Sequence, residues 1–211
     1  MKPILLYWRN KRTSLTLGLD AELVVDQVTN PSKVPVILEE LGLPYETTWV
    51  ELDDLKKQPF ESINPNGRLP DKEHKLTYTS SPEKYFLQQW SYFQASGQGP
   101  YFGQCAWFTL FHPEKLESAQ TRYANELKRI VGVLDRTLKG QEWLVGDKST
   151  YADLAFVMWN AQIDSIMKGH DWNIAEYPNF RRWQETMLAR DSLKKVMSVL
   201  MDKEVQSPGR V

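Results

Sequence analysis

The chain has 211 residues, of which 41% are hydrophobic and 25% charged, an ordinary globular composition with room for one large domain or two small ones. Lys plus Arg number 26 and Asp plus Glu 27, a net charge of −1, so neither a basic surplus for nucleic acid nor a like-charge tail is present. No apolar run approaches a membrane span. The apolar stretch Pro3 to Trp8 is too short for a signal-peptide core and is followed by Arg9, Lys11 and Arg12. The lone cysteine, Cys105, has no partner for an internal disulfide, which makes the cytoplasm the expected compartment.

In chain order, Met1 to Tyr7 reads as a short strand with Ile4, Leu5 and Leu6 as its apolar body. Trp8 to Val28 has no clean period and reads as a loop with a strand or helix turn in it. Residues 29–34 read as a helix entry, with Asn30 or Ser32 as the cap and Pro31 at a first helical position. Pro35 favours Ser32, since a proline past the first turn loses a hydrogen bond. Val34, Ile37, Leu38 and Leu41 follow at helical spacing, Gly42 ends the helix and Pro44 forbids its continuation. Tyr45 to Leu52 alternates as a strand. Asp53 to Phe60 reads as a short helix or loop, and residues 62–70 are rich in turn formers.

From Ser81 the pattern is helical throughout. Ser81 is the expected cap and Pro82 the first helical residue, with Phe86, Leu87, Trp90 and Phe93 on one face. Gly97 and Gly99-Pro100 interrupt it. After Pro113, a stripe of Tyr123, Leu127, Ile130, Val131, Leu134 and Leu138 runs to Gly140. Thr150 with Asp153 forms an acidic capping box. The helix it opens is apolar all round from Ala155 to Trp159 and belongs in the middle of a core. Phe180, Trp183 and Met187 mark another helix, and Leu193, Val196, Met197 and Leu200 the last. The expectation is an α/β start over residues 1–75 and an all-helical domain over 81–205, with the boundary near 71–81. Aromatics make up 12% of the chain, and many fall between Tyr85 and Phe111. They read either as helical core or as the lining of an apolar pocket. Cys105 reads as a buried small hydrophobe. His74, His112 and His170 show no metal-ligand spacing, so no metal is expected.

Four segments resemble one family, the fungal glutathione transferases, and within it the group that includes the yeast nitrogen-regulation, prion-forming protein. Asn30-Pro31-Ser32-Lys33-Val34 with Leu38 to Glu46 resembles the first helix and turn. Ile63 to Pro70 resembles the glutathione-binding loop. Gln94 to Gln104 resembles the centre of the helical domain, and Trp143-Leu144-Val145-Gly146 with Thr150 to Ala155 the folding box. The resemblance implies a thioredoxin-like α/β domain that holds glutathione, followed by an all-α glutathione-transferase domain that holds an apolar electrophile, in a homodimer. It assigns Asn30 to activation of the glutathione thiol, whose thiolate is the reactive form. An amide N–H and the positive end of the following helix would supply that stabilisation. It places a cis bond at Leu69-Pro70 beside the cysteinyl part of glutathione, and Arg68 and Lys56 near its carboxylates. Tyr101, Gln104, Trp107 and Phe108 are the candidates for the second-substrate pocket. For each of these residues the alternative is structural: Asn30 as a cap, Pro70 as a loop proline, Lys56 and Arg68 as surface charge, the aromatic set as core.

The sequence departs from the family in two places. Pro70 runs directly into residues 71–76, which resemble the linker that normally lies further on. Two strands and a helix, on the order of 25 residues, are missing between them. They would include the Glu-Ser pair that holds the γ-glutamyl group, and a helix of the dimer interface. Conversely, Trp8 to Val28 intervenes where Tyr7 and Asn30 are normally joined by a few residues. Three readings follow. One is a glutathione-dependent enzyme that conjugates an electrophile, or isomerises a double bond by reversible addition, in fungal secondary metabolism. The second is a non-catalytic binding or regulatory protein on the same fold. The third is a variant of altered exon joining that folds poorly.

Overall fold

The computed structural model describes residues 4–10, 25–51 and 74–206. Strand β1 (Ile4–Asn10), helix α1 (Val25–Leu41) and strand β2 (Tyr45–Glu51) form a βαβ unit. The strands are parallel, in register from Ile4 opposite Tyr45 to Asn10 opposite Glu51. A parallel pair needs a crossover, and α1 is that crossover. At its end Gly42 takes a φ of 63°, and the Leu43 amide donates to the Leu38 carbonyl, as a glycine cap requires.

The start of α1 corrects the sequence reading. The helix begins at Val25 and runs through Pro31 and Pro35, so neither Asn30 nor Ser32 caps it. The cost of interior prolines is offset by burial. Pro35 is buried, Val36 is fully buried in a core shared with the helical region, and Leu38 is fully buried as well. Strand β1 likewise runs on to Asn10.

The helical region begins with one continuous rod. Helix α2 (Glu83–Phe93), a π turn (Gln94–Gln98), helix α3 (Gly99–Ala106) and a second π turn (Trp107–Phe111) follow without a break in helical backbone. The start of α2 is a second correction. It lies at Glu83, and Ser81 does not cap it, because the Ser80 carbonyl accepts from the Lys84 amide and the Pro82 carbonyl from Tyr85. Leu87 is buried, but Phe86 is 47% exposed. One residue is 100° of helix, so the face that carries Leu87 and Trp90 turns Phe86 outward.

Helix α4 (Glu117–Thr137) buries Leu127, Ile130, Val131 and Leu134 completely, as its stripe requires, and Gly140 follows it with a φ of 79°. Helix α5 (Tyr151–Asn160) is the central element, with Ala152, Leu154, Phe156, Val157, Met158 and Trp159 all buried. A short helix α6 (Ile163–Ile166) leads to α7 (Pro178–Leu188) and α8 (Asp191–Gln206). The entry to α5 is tied down by Asp153, which is fully buried. Its carboxylate accepts from the Leu144 and Thr150 amides at 2.9 Å each, the Thr150 hydroxyl at 2.8 Å and the Trp183 indole at 3.1 Å. Burial pushes this carboxyl upward, and the four donors pull against that. Gly99 and Gly103, one turn apart on α3, face Trp159: a Cβ on either would stand in ordinary contact with the indole, at 3.8 and 3.6 Å.

Helix α1 packs against α5 and α8. The contact is closed by charge. Arg190 donates to both Glu40 oxygens, at 2.7 and 2.5 Å, and the Ser192 hydroxyl donates to the same carboxylate. Lys195 reaches Glu39 at 2.8 Å. Burial alone would raise the Glu40 carboxyl, but the Arg190 and Ser192 hydrogen bonds and the Arg190 charge hold it below its usual range.

Candidate functional site

A cleft of about 410 Å³ lies where α1 meets the rod, lined by Lys33, Gln94, Ala95, Gly99 and Pro100. Its volume is that of a small-molecule site. It coincides with the first π turn, the kind of helix irregularity found often at functional sites. Gln94, in that turn, lines the cleft and is 6% exposed. Gln94 Nε2 donates to Gln98 Oε1 at 3.1 Å. Gln98 Nε2 in turn donates to the Phe156 carbonyl at 3.1 Å and to Asn160 Oδ1 at 2.6 Å. This buried amide relay fixes the Gln94 head group from below.

Lys33 is the residue that sequence reasoning missed. Burial lowers its ammonium to about 8, and no opposite charge enters as a cause. No acidic group is among the described residues lining the cleft. The sequence did hold a signal: Lys33 precedes Ile37 and Leu41 by four and eight residues, so a cation continues an apolar stripe.

The candidates named from sequence are distributed unevenly. Lys56, Arg68, Leu69 and Pro70 lie outside the described residues. Asn30 is the sixth residue of α1. The positive end of a helix acts over its first turn, so that contribution does not reach Asn30, whose amide remains as the candidate donor. Tyr101, Gln104, Trp107 and Phe108 are on α3 and the second π turn, and none is among the described residues lining the cleft. Tyr101 and Phe108 pack instead on Tyr123, with ring centroids at 6.3 and 5.5 Å. Trp107 is 46% exposed and stacks on Phe111. Gln104 is exposed.

Cys105 is fully buried, and burial pushes its thiol up to about 11, which removes it from nucleophilic chemistry near neutral pH. Thr109 bridges it to His170, with Oγ1 to Nε2 at 3.2 Å. Among the described residues no group of three or more His, Cys, Asp and Glu could hold a metal, and no helix is long and apolar enough to cross a membrane.

The glutathione S-transferase C-terminal domain family matches residues 100–191. The glutathione S-transferase-like protein gedE of Aspergillus terreus is 37% identical, over 82% of this chain and 92% of its own length. The crystal structure of the glutathione transferase URE2P8 from Phanerochaete chrysosporium with oxidized glutathione matches with a TM-score of 0.76 at 36% identity. That match covers 85% of this chain and 94% of the other.

This chain belongs to the fungal Ure2-like glutathione transferases.

The transcriptional regulator URE2 of Saccharomyces cerevisiae is a more distant relative, 29% identical over 80% of this chain and 64% of its own length. The match to the Aspergillus protein runs over 207 residues, yet it takes in only 82% of this 211-residue transferase-family chain. The aligned stretch is longer than the part of the chain that fills it, so the relative carries residues there that this chain lacks.

Proposed function

We propose that the chain is a glutathione-dependent transferase that presents the glutathione thiolate to an electrophilic, largely apolar small molecule. The observation that carries this reading is the match to a transferase structure with oxidized glutathione over 94% of its length. In this reading Asn30 donates to the thiolate. Arg68 and Lys56 meet the glutathione carboxylates, and the backbone before Pro70 pairs with the cysteinyl part. The electrophile lies against the rod, in the cleft at Gln94 to Pro100 and toward Tyr101, Gln104, Trp107 and Phe108. Conjugation is the simplest outcome. Reversible addition and elimination at a conjugated double bond, in a secondary-metabolic pathway, uses the same thiolate.

A second reading, a non-catalytic binding or regulatory protein, is favoured by one observation: the Aspergillus relative carries residues in the matched stretch that this chain lacks. Calorimetry with glutathione decides between the two. The transferase reading expects binding in the micromolar to low-millimolar range. It also expects Asn30→Ala to lower turnover of 1-chloro-2,4-dinitrobenzene by about tenfold or more, the scale of losing one preorganised donor. A well-folded chain that takes up no glutathione sinks it in favour of the regulatory reading.

A further inference from the structure

The cleft at the first π turn offers hydrogen-bond donors and apolar surface, and among its described lining residues Lys33 is a cation with no acidic group beside it. Lys33 projects from α1 into a site whose other described lining is the amide of Gln94 and the carbon surface of Ala95, Gly99 and Pro100. Gln94 has two N–H groups, and its relay to Gln98 uses one of them. Gly99 leaves room beside that amide: a Cβ there would stand 3.5 Å from Gln94 Nε2 and 3.4 Å from the Gln94 carbonyl oxygen. A half-buried ammonium without a partner is costly. Such a group in a cleft marks a place where a ligand completes the charge.

We propose that this cleft is an anion-selective subsite, in which Lys33 and the second N–H of Gln94 hold the carboxylate or phenolate oxygen of an apolar, acidic second substrate. The assignment deepens the transferase reading and rests on it for the role of the bound molecule as substrate. Lys33 is then a specificity-determining residue. It selects among electrophiles by their acidic group, while the thiolate attacks elsewhere on the same molecule. The apolar body lies on Ala95 and Pro100. The Gln94–Gln98–Asn160 relay keeps the amide aimed without an ordering cost at binding.

The experiment uses the full chain and two probes of one shape, 1-naphthoate and 1-naphthalenemethanol. Binding is followed by calorimetry and by tryptophan fluorescence, for which Trp159 beside Gly99 is the nearby reporter. The wild type is expected to bind the naphthoate about tenfold or more tightly than the alcohol, the scale of one charge-assisted contact. Lys33→Met is expected to erase that preference while leaving the alcohol unaffected, and Lys33→Arg to keep it. Equal affinity of the wild type for the two probes, or weak binding of both, overturns the proposal without recourse to any variant.

The same chemistry could come from glutathione itself, so the titration is repeated at saturating glutathione. Naphthoate binding that persists beside glutathione supports a substrate subsite. Competition, together with weaker glutathione binding by Lys33→Met, overturns it and gives Lys33 to the peptide. If glutathione does not bind at all but the Lys33-dependent preference remains, the anion subsite stands and the transferase reading alone falls.

Discussion

The two regions of the molecule are held together by different means. The helical region closes a core of its own: Leu127, Ile130, Leu134, Phe156 and Trp183 are all fully buried, and the polar group in its middle, Asp153, has four donors. The βαβ unit has two described strands, fewer than a sheet needs for independent stability. It lends Val36 to the core of the helices, with Ile37 and Leu41 packed against that core, and is clamped to them by Glu40 and Glu39. The first region determines whether the chain folds. The second determines where the cleft lies, because Lys33 reaches the rod only while α1 stays docked.

The largest effect that would test this contrast is at Asp153. Asp153→Ala leaves four donors without an acceptor and should cost about 3 kcal/mol or more. Urea denaturation should show one cooperative loss of the whole chain. A loss confined to residues 4–51 would mean that the helical core does not depend on its buried cap.

Next comes the clamp. Glu40→Ala should cost about 2 kcal/mol, since it removes a part-buried bidentate pair and leaves Arg190 unpaired. Hydrogen exchange should quicken in β1, α1 and β2 while α4 and α5 stay protected. Uniform quickening would show that the two regions are one cooperative unit.

Lys33→Met should act in the opposite direction. Burial lowers the folded ammonium to about 8 from an ordinary 10.5, so its charge costs stability at pH 7. Removing it should raise stability by about 1 kcal/mol. For the wild type, stability should rise between pH 8 and 10.5, because there the unfolded chain binds more protons. A variant less stable at pH 7 would mean that the ammonium has a counter-charge.

The smallest effect is the acid limb. The Glu40 carboxyl is held below its usual range, so its contribution is complete above the ordinary value of 4.5 and is lost as pH falls through the lower folded one. Glu40→Gln should flatten the melting temperature against pH below 4.5. An unchanged slope would assign acid sensitivity to other carboxylates.

Much of the helical region was legible in the residues, because its signals are local. Thr150 and Asp153 are three residues apart, Gly140 follows its helix directly, and the stripe on α4 repeats within one element. The same rules misplaced the starts of α1 and α2. Pro31 and Ser81 carry the chemistry of a first turn, but burial of Pro35 and Val36, and backbone donors to Ser80 and Pro82, set those ends instead. The aromatic candidates were legible as a cluster. Their division between Tyr123 packing and an exposed Trp107 was not, since Tyr101 and Phe108 pair with a ring of another helix.

By itself the sequence determined the family, the helical domain and the capping box of its central helix, since periodicity and capping act within a few residues. Tertiary structure alone decided that Lys33 faces Gln94 and Pro100 across a cleft, that Gln98 reaches Asn160, and that Arg190 closes on Glu40 across 150 residues of chain. Those contacts depend on how elements distant in sequence pack, and no local pattern carries that information.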